Sequence, residues 1–203
     1  MARILAVKLG YRYLDTGATY RVVALKAKEG GITPELTEAL HTLCAQIQIK
    51  FKDTEEGQKV YSDGRDVTEA IRTPEISMLA SKFSQGRVVR EAMVHLQRRL
   101  GGRGVVAEGR DTGTVVFPKA DVKFYLDATP QERGKRRYRE LLNRGIPATL
   151  SQVIEDTIKR DQGDENREIA PLRMARDAIY IDSTGMSPEE VVKGMLGEIA
   201  KRW

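Results

Sequence analysis

The chain holds one cysteine, Cys44, and two histidines, His41 and His95, in 203 residues. A lone cysteine excludes an internal disulfide and any cysteine cluster for zinc, and two histidines far apart in sequence make a histidine metal site a poor expectation. Such thin cysteine usage fits a reducing compartment, so the expected location is the cytoplasm. Aromatic residues make up only 6% of the chain, and no aromatic-rich strand suited to stacking nucleic-acid bases stands out. No uncharged apolar run approaches the roughly 20 residues of a membrane span. The opening MARILAVKLG carries Lys8 inside a short apolar run and has no small-residue cleavage site, which argues against a signal peptide. Glycine and proline are scattered, with no repeat or low-complexity tract, so collagen-like and disordered readings also fail.

What the chain has in quantity is charge. Charged residues make up 31%, with 34 Lys plus Arg against 29 Asp plus Glu, and 21 of the 34 basic residues are arginine. The planar arginine fork grips phosphate and carboxylate bidentately, so this bias is compatible with phosphorylated ligands and equally with a solvated basic surface. The net +5 also allows a nucleic-acid-binding module, whose footprint would be a steep salt dependence. Against that reading, the arginines are interleaved with acids and do not form one basic stripe.

Hydrophobic spacing gives a helix from the first residues to Gly10, a strand over Tyr11 to Leu14, and a helix from DTGATYR to Lys28. Thr33-Pro34 reads as the opening of a third helix. From Ile47 to Arg72 the texture shifts to period two, IQIKFK and QKVYS around TEEG, with SDG as a further turn, which predicts a small antiparallel insert. Helices return at PEISMLASKF and RVVREAMVHLQRRL, and GVVAEG and VKFYLD read as buried strands. Thr129 and Glu132 suggest a capping box opening a helix from Pro130 to Asn143. A helix from Leu150 to about Asp161 precedes a polar segment, DQGDENRE. AIYID is a last strand, and Ser187 with Glu190 caps the C-terminal helix. Strands alternating with helices imply a parallel sheet covered on both faces, with its ligand edge beyond the carboxyl ends of the strands. DTG, EGRDTG and DST each follow a strand and therefore meet at that edge, near Arg21, Arg90, Arg110, Arg160 and Arg167.

DTGATYR, SKFSQGRVVREAM, EGRDTGTVVFP, KRDQGDENREIAPL and YIDST, in this order and spacing, resemble segments of bacterial-type cytidylate kinase over nearly the whole chain. The resemblance implies an α/β P-loop kinase-like fold, with residues 1–46 as the N-terminal part of the core and 47–72 as the antiparallel insert of the nucleotide-monophosphate region. Residues 73–203 would then hold the nucleotide-binding helices, the rest of the core and a lid at about 144–168. It implies transfer of the terminal phosphoryl group of ATP to CMP or dCMP, with magnesium. Arg21, Arg110 and Arg160 match positions on the phosphates. Ser81, Arg90 and Asp111 match positions reading cytosine, and Asp164 and Arg167 positions holding the sugar hydroxyls. Thr16 stands where serine is usual, and Tyr20 follows the pattern. Glu108 falls at the acidic position that helps hold magnesium through water, and Arg137 is a candidate for the ATP side. Arg133, Arg136 and Arg139 read as part of a solvated helix face. Tyr20 could equally be a core aromatic, Ser81 a surface hydroxyl and Glu108 a turn cap. The expected partners are CMP, dCMP and ATP, without nucleic acid or membrane, and the expected state is a monomer.

A strand followed by GxxxxGK[ST] cradles the donor phosphates in P-loop kinases, and the 203 residues contain no such motif. In the family that segment directly precedes the helix resembling ARILAVKLG, and its strand is the central one of the order 2-3-1-4-5. The expectation is either a protein starting upstream of Met1 or a naturally shortened relative that binds CMP without transferring phosphate. The completeness of the nucleotide-monophosphate residues favours the former.

Overall fold

The computed structural model describes residues 1–55 and 57–202; Glu56, in the TEEG turn, and Trp203 lie outside the described residues. Helix α1 (Ala2–Leu9) ends at Gly10, whose φ of 66° lets its N–H and that of Tyr11 turn back to Val7 and Ala6 carbonyls. Strand β1 (Arg12–Asp15) runs straight into α2 (Thr16–Glu29), and Asp15 caps that helix by accepting from the Ala18 N–H at 2.9 Å. Helix α3 (Glu38–Gln46) begins one turn later than Thr33-Pro34 suggests. Thr37 is the residue whose hydroxyl caps it, and the first buried side chain is Leu40, while Leu36 stays exposed and offers no packing to extend the helix.

Strands β2 (Ile49–Thr54), β3 (Gly57–Ser62) and β4 (Arg65–Asp66) form a separate antiparallel sheet, with Asp63 and Gly64 at positive φ making the turn signalled by SDG. A 3-10 turn over Ala70–Arg72 leads into α4 (Pro74–Phe83) and α5 (Arg87–Gly101). The inner faces of α2, α3, α4 and α5 close with Ile49 and Val60 of the antiparallel sheet into one apolar core.

Strand β5 (Val105–Glu108), a π-helical turn over Thr112–Val116, β6 (Phe124–Asp127), α6 (Pro130–Asn143), α7 (Leu150–Asn166), β7 (Ile179–Asp182) and α8 (Pro188–Ala200) complete the chain. The fold is α/β, with parallel strands flanked by helices and a small antiparallel sheet, consistent with a P-loop kinase-like architecture. The parallel strands form two pairs rather than one continuous sheet. β1 pairs with β5, Arg12 opposite Val105 through Asp15 opposite Glu108; β6 pairs with β7, Phe124 opposite Ile179 through Asp127 opposite Asp182. Among the described residues β5 and β6 have no ladder on their other edges, and both line one cavity of about 1490 Å³. The pairs share an apolar layer in which Leu5 of α1 and Val191, Val192 and Met195 of α8 meet Val106, Phe124 and Ile181.

Two further details depart from the sequence reading. Helix α7 continues through DQGDEN to Asn166, because Asp161 and Asp164 are not loop acids: both are buried and ion-paired, to Arg133 and to Arg110. Thr129 accepts from the Glu132 N–H, but Glu132 turns to Arg136 at 2.9 Å instead of back to the cap, so only Ser187 and Glu190 make a full box.

Candidate active site

The register of β1 and β5 sets Asp15 beside Glu108 at the carboxyl edge, and α2 starts from the same point. Thr16 Oγ1 donates to the Glu108 carbonyl at 2.6 Å, and Tyr13 donates its hydroxyl to the Glu108 carboxylate. Partial desolvation by the surrounding protein pushes the Glu108 carboxyl above its ordinary range, although the residue keeps an exposed face; the Tyr13 hydrogen bond opposes this and Asp15 acts in the same sense. Gly109 has to be glycine here, since a Cβ would stand 2.2 Å from Thr16 Oγ1 and 2.4 Å from Thr112 Oγ1.

Around this edge guanidiniums and carboxylates alternate. Arg21 reaches back along α2 to its N-cap, Asp15, at 2.6 Å. Arg90, fully buried on α5, donates to the Ser84 carbonyl at 2.8 Å and to Asp111 at 2.5 Å, and its guanidinium lies 5.4 Å from the Tyr20 ring centroid. Asp164 gathers three guanidiniums: Arg110 at 3.0 Å, Arg167 at 3.4 Å and Arg160 at 4.0 Å. Arg167 also faces Asp111 at 3.9 Å, so the Arg90–Asp111 and Asp164 clusters are continuous. Surrounding protein and the nearby Arg110 guanidinium push Arg160 down to about 10, and burial, then Arg90, lowers Arg167. Crowded cations of this kind are relieved by an anion. Burial pushes the Tyr20 hydroxyl up to about 12, so it stays a neutral phenol.

Six buried side-chain nitrogen or oxygen atoms among the described residues have no hydrogen-bond partner. One is Gln97 Oε1. The other five, Tyr20 Oη, Arg21 Nε, Arg90 Nε, Thr112 Oγ1 and Arg167 Nη2, belong to residues lining the large cleft. Buried donors left without acceptors are costly, and their concentration at one cleft marks a place built for a polar ligand.

The structure therefore brings together Thr16, Tyr20, Arg21, Ser81, Arg90, Glu108, Arg110, Asp111, Arg160, Asp164 and Arg167, all of which line the cleft. Ser81 is half-buried near the end of α4, where its carbonyl accepts from Ser84 Oγ. Arg137 is not among the lining residues and pairs with Glu140 at 2.7 Å on its own helix. Of its neighbours, Arg139 is exposed as the spacing suggested, but Arg133 and Arg136 are not part of a solvated face. Arg133 holds Asp161 at 2.7 Å, and Arg136 donates to Ser183 Oγ at 3.0 Å and to the Ser183 carbonyl at 2.6 Å. Sequence reasoning missed Thr112 and Gln97. Thr112 lay in plain view inside EGRDTG; Gln97, wholly buried and donating to Thr16 O and Thr19 Oγ1, carries no pattern that separates it from a surface glutamine.

Among the described residues no group of three or more His, Cys, Asp or Glu side chains is arranged to hold a metal alone. Magnesium does not need one, since it takes one or two carboxylates together with phosphate oxygens and water. Glu108, exposed at the end of β5, fits that requirement.

An α/β fold with a ring of arginines at its strand edge defines a protein that handles a small phosphorylated ligand. A family model described as cytidylate kinase matches residues 1–201. Proteins named cytidylate kinase from Syntrophotalea carbinolica and Geobacter sulfurreducens are 49% and 48% identical over 203 residues, covering this whole chain and 86% and 87% of those proteins. One from Carboxydothermus hydrogenoformans is 46% identical across 91% of its length. The chain belongs to the cytidylate kinase family.

Proposed function

We propose that the arginine-lined cleft binds CMP or dCMP as phosphoryl acceptor for ATP. The observation that carries this reading is the set of five unpartnered buried polar atoms at the cleft, three of them guanidinium nitrogens, which can only donate and so call for an acceptor such as a phosphate, hydroxyl or ring atom of a nucleotide. The attacking oxygen belongs to a phosphate that is mostly dianionic at neutral pH, its second pKa being about 6. No general base is required of the protein. Its work is to align the acceptor and to spread charge on the moving group, where one arginine can supply on the order of 10³ to 10⁵ in rate.

Arg21, Arg110 and Arg160 are the residues for the phosphates, since they crowd one another and each has a carboxylate that can yield to a phosphate. Arg90, Asp111 and Ser81 read the cytosine edge, the fixed Arg90–Asp111 pair offering a donor and an acceptor in one orientation. Asp164 and Arg167 take the sugar hydroxyls, and Thr16 and Tyr20 shape the floor. Glu108 would hold magnesium through water; bound there with ATP, the ion would neutralise charge on the phosphates. Arg137 serves the ATP side only if its pair with Glu140 opens. Residues 47–72 and a lid at about 144–168 act as separate acceptor and lid units around the core. The expected setting is a monomer in the cytoplasm, acting on free nucleotides; no helix of the described residues is long and apolar enough to cross a membrane.

Because the 203 residues include no backbone nest with a lysine for the β- and γ-phosphates, acceptor binding and turnover should separate in this polypeptide. Calorimetry with CMP is expected to show binding, while coupled assays show negligible ATP-dependent CDP formation. Absence of CMP binding overturns the acceptor site; robust turnover overturns the separation and means another basic group anchors the triphosphate.

A further inference from the structure

One arginine ties the end of α6, which packs against α7, to the base of α4. Arg144 follows the last residue of α6, just ahead of the turn into α7. Its Nη1 donates to the Arg72 carbonyl at 3.0 Å and its Nη2 to the Glu69 carboxylate at 2.7 Å. Glu69 also faces Arg72 at 3.7 Å, and the next residue, Thr73, is the N-cap of α4. The contact therefore joins the hairpin of α6 and α7, at the end of α6, to the start of α4.

Helices α4 and α7 both run to the cleft. α4 delivers Ser81, and α7 delivers Arg160 and Asp164, with Arg167 at its end. Arg160 stands ten residues beyond Leu150, so at a rise of ~1.5 Å per residue it lies about 15 Å along the axis. A small tilt at the base becomes a larger displacement at the guanidinium. The helices also touch directly, and α7 packs along α6, so the contact at Arg144 bears on the placement of the whole hairpin against α4.

We infer that Arg144 is a positioning residue for the acceptor site: it fixes the distance between α4 and α7 and so holds Arg160, Asp164 and Arg167 opposite Ser81. The inference rests on the acceptor-site reading above. Glu69 is largely exposed, and an ion pair to an exposed carboxylate contributes little to stability. Its consequence is alignment, which affinity reports and melting does not.

Spin labels at Met78 on α4 and Lys159 on α7, both exposed, in a Cys44→Ala background read the helix spacing without any nucleotide. A narrow distance distribution is expected in the parent, a broad one in Arg144→Ala and an intermediate one in Arg144→Lys, which can still reach Glu69. CMP titration of the same proteins should show Arg144→Ala weakened about three- to tenfold with an unchanged melting temperature, and Arg144→Lys partly restored. A parent with a narrow distribution and no CMP binding overturns the acceptor-site reading, and this inference with it. A parent that binds CMP beside an Arg144→Ala variant with unchanged spacing or unchanged affinity sinks the inference alone.

Discussion

Asp111 is enclosed by guanidiniums, Arg90 at 2.5 Å and Arg167 at 3.9 Å, and is almost wholly buried. Replacing it by alanine leaves the buried Arg90 without its carboxylate and, on the proposed reading, removes the acceptor offered to a bound base. Asp111→Ala is expected to weaken CMP binding by roughly 1 to 3 kcal/mol in a calorimetric titration; parent-like affinity would take Asp111 out of the site. Asp111 was legible in the sequence because EGRDTG follows a strand, and Arg90 because SKFSQGRVVREAM resembles a family segment. Gln97 was not, and Thr112, though inside EGRDTG, carried nothing that marked its hydroxyl. A hydroxyl or an amide becomes meaningful through what surrounds it, and burial of a lone polar side chain leaves no periodic trace. The same holds for Arg136, whose Ser183 partner lies 47 residues away.

At the scale of elements, every strand and helix anticipated from spacing exists, and the departures have a common cause. Local signals set where helices can start and stop, whereas distant partners decide which option is taken. Thr33-Pro34 is a sound helix opening that loses to Thr37, and the polar DQGDEN stays helical because Arg133 and Arg110 neutralise its acids. Gly134 shows how tight these partnerships are. A Cβ there would meet Ile154 Cγ1 at 2.4 Å and the Ile154 Cα at 3.0 Å, so α6 and α7 pack backbone to side chain. Gly134→Ala gains helix propensity but must push α7 away, at a cost of about 1–3 kcal/mol before the gain. Urea unfolding is expected to show net destabilisation, with CMP affinity reduced as well because α7 carries Arg160 and Asp164. A variant as stable as the parent would mean that the hairpin gives way without strain.

For the whole molecule, the pairing pattern predicts uneven protection. Successive amides of a strand point to opposite edges, and β5 and β6 each have a ladder on one edge only. Alternate amides along Val105–Glu108 and Phe124–Asp127 are expected to exchange hydrogen much faster than their neighbours, while both edges of β3, which pairs with β2 and β4, are slow where paired. Uniform slow exchange along β5 and β6 would contradict the pairing. The resemblance pointed to a sheet without its central strand among these residues. What it could not show is that α1 and α8 keep the two pairs in one layer, since that depends on Leu5, Val192 and Phe124 meeting across long sequence separations.

The carboxylates already seated on the arginines give binding an unusual character. On the proposed reading, a dianion arriving at Arg21, Arg110 and Arg160 would displace Asp15 and Asp164, which are covalently part of the protein, and would expel few mobile ions from solution. The process is an internal ion exchange, and its free energy depends little on the bulk concentration of salt. CMP affinity should therefore fall by less than about one decade for a tenfold rise in sodium chloride, far below the slope of a protein that strips counterions from several phosphates of a nucleic acid. The same exchange makes selectivity stricter: a ligand with one negative charge offers too little to evict a carboxylate, so cytidine and singly charged analogues should bind weakly even where their bases fit.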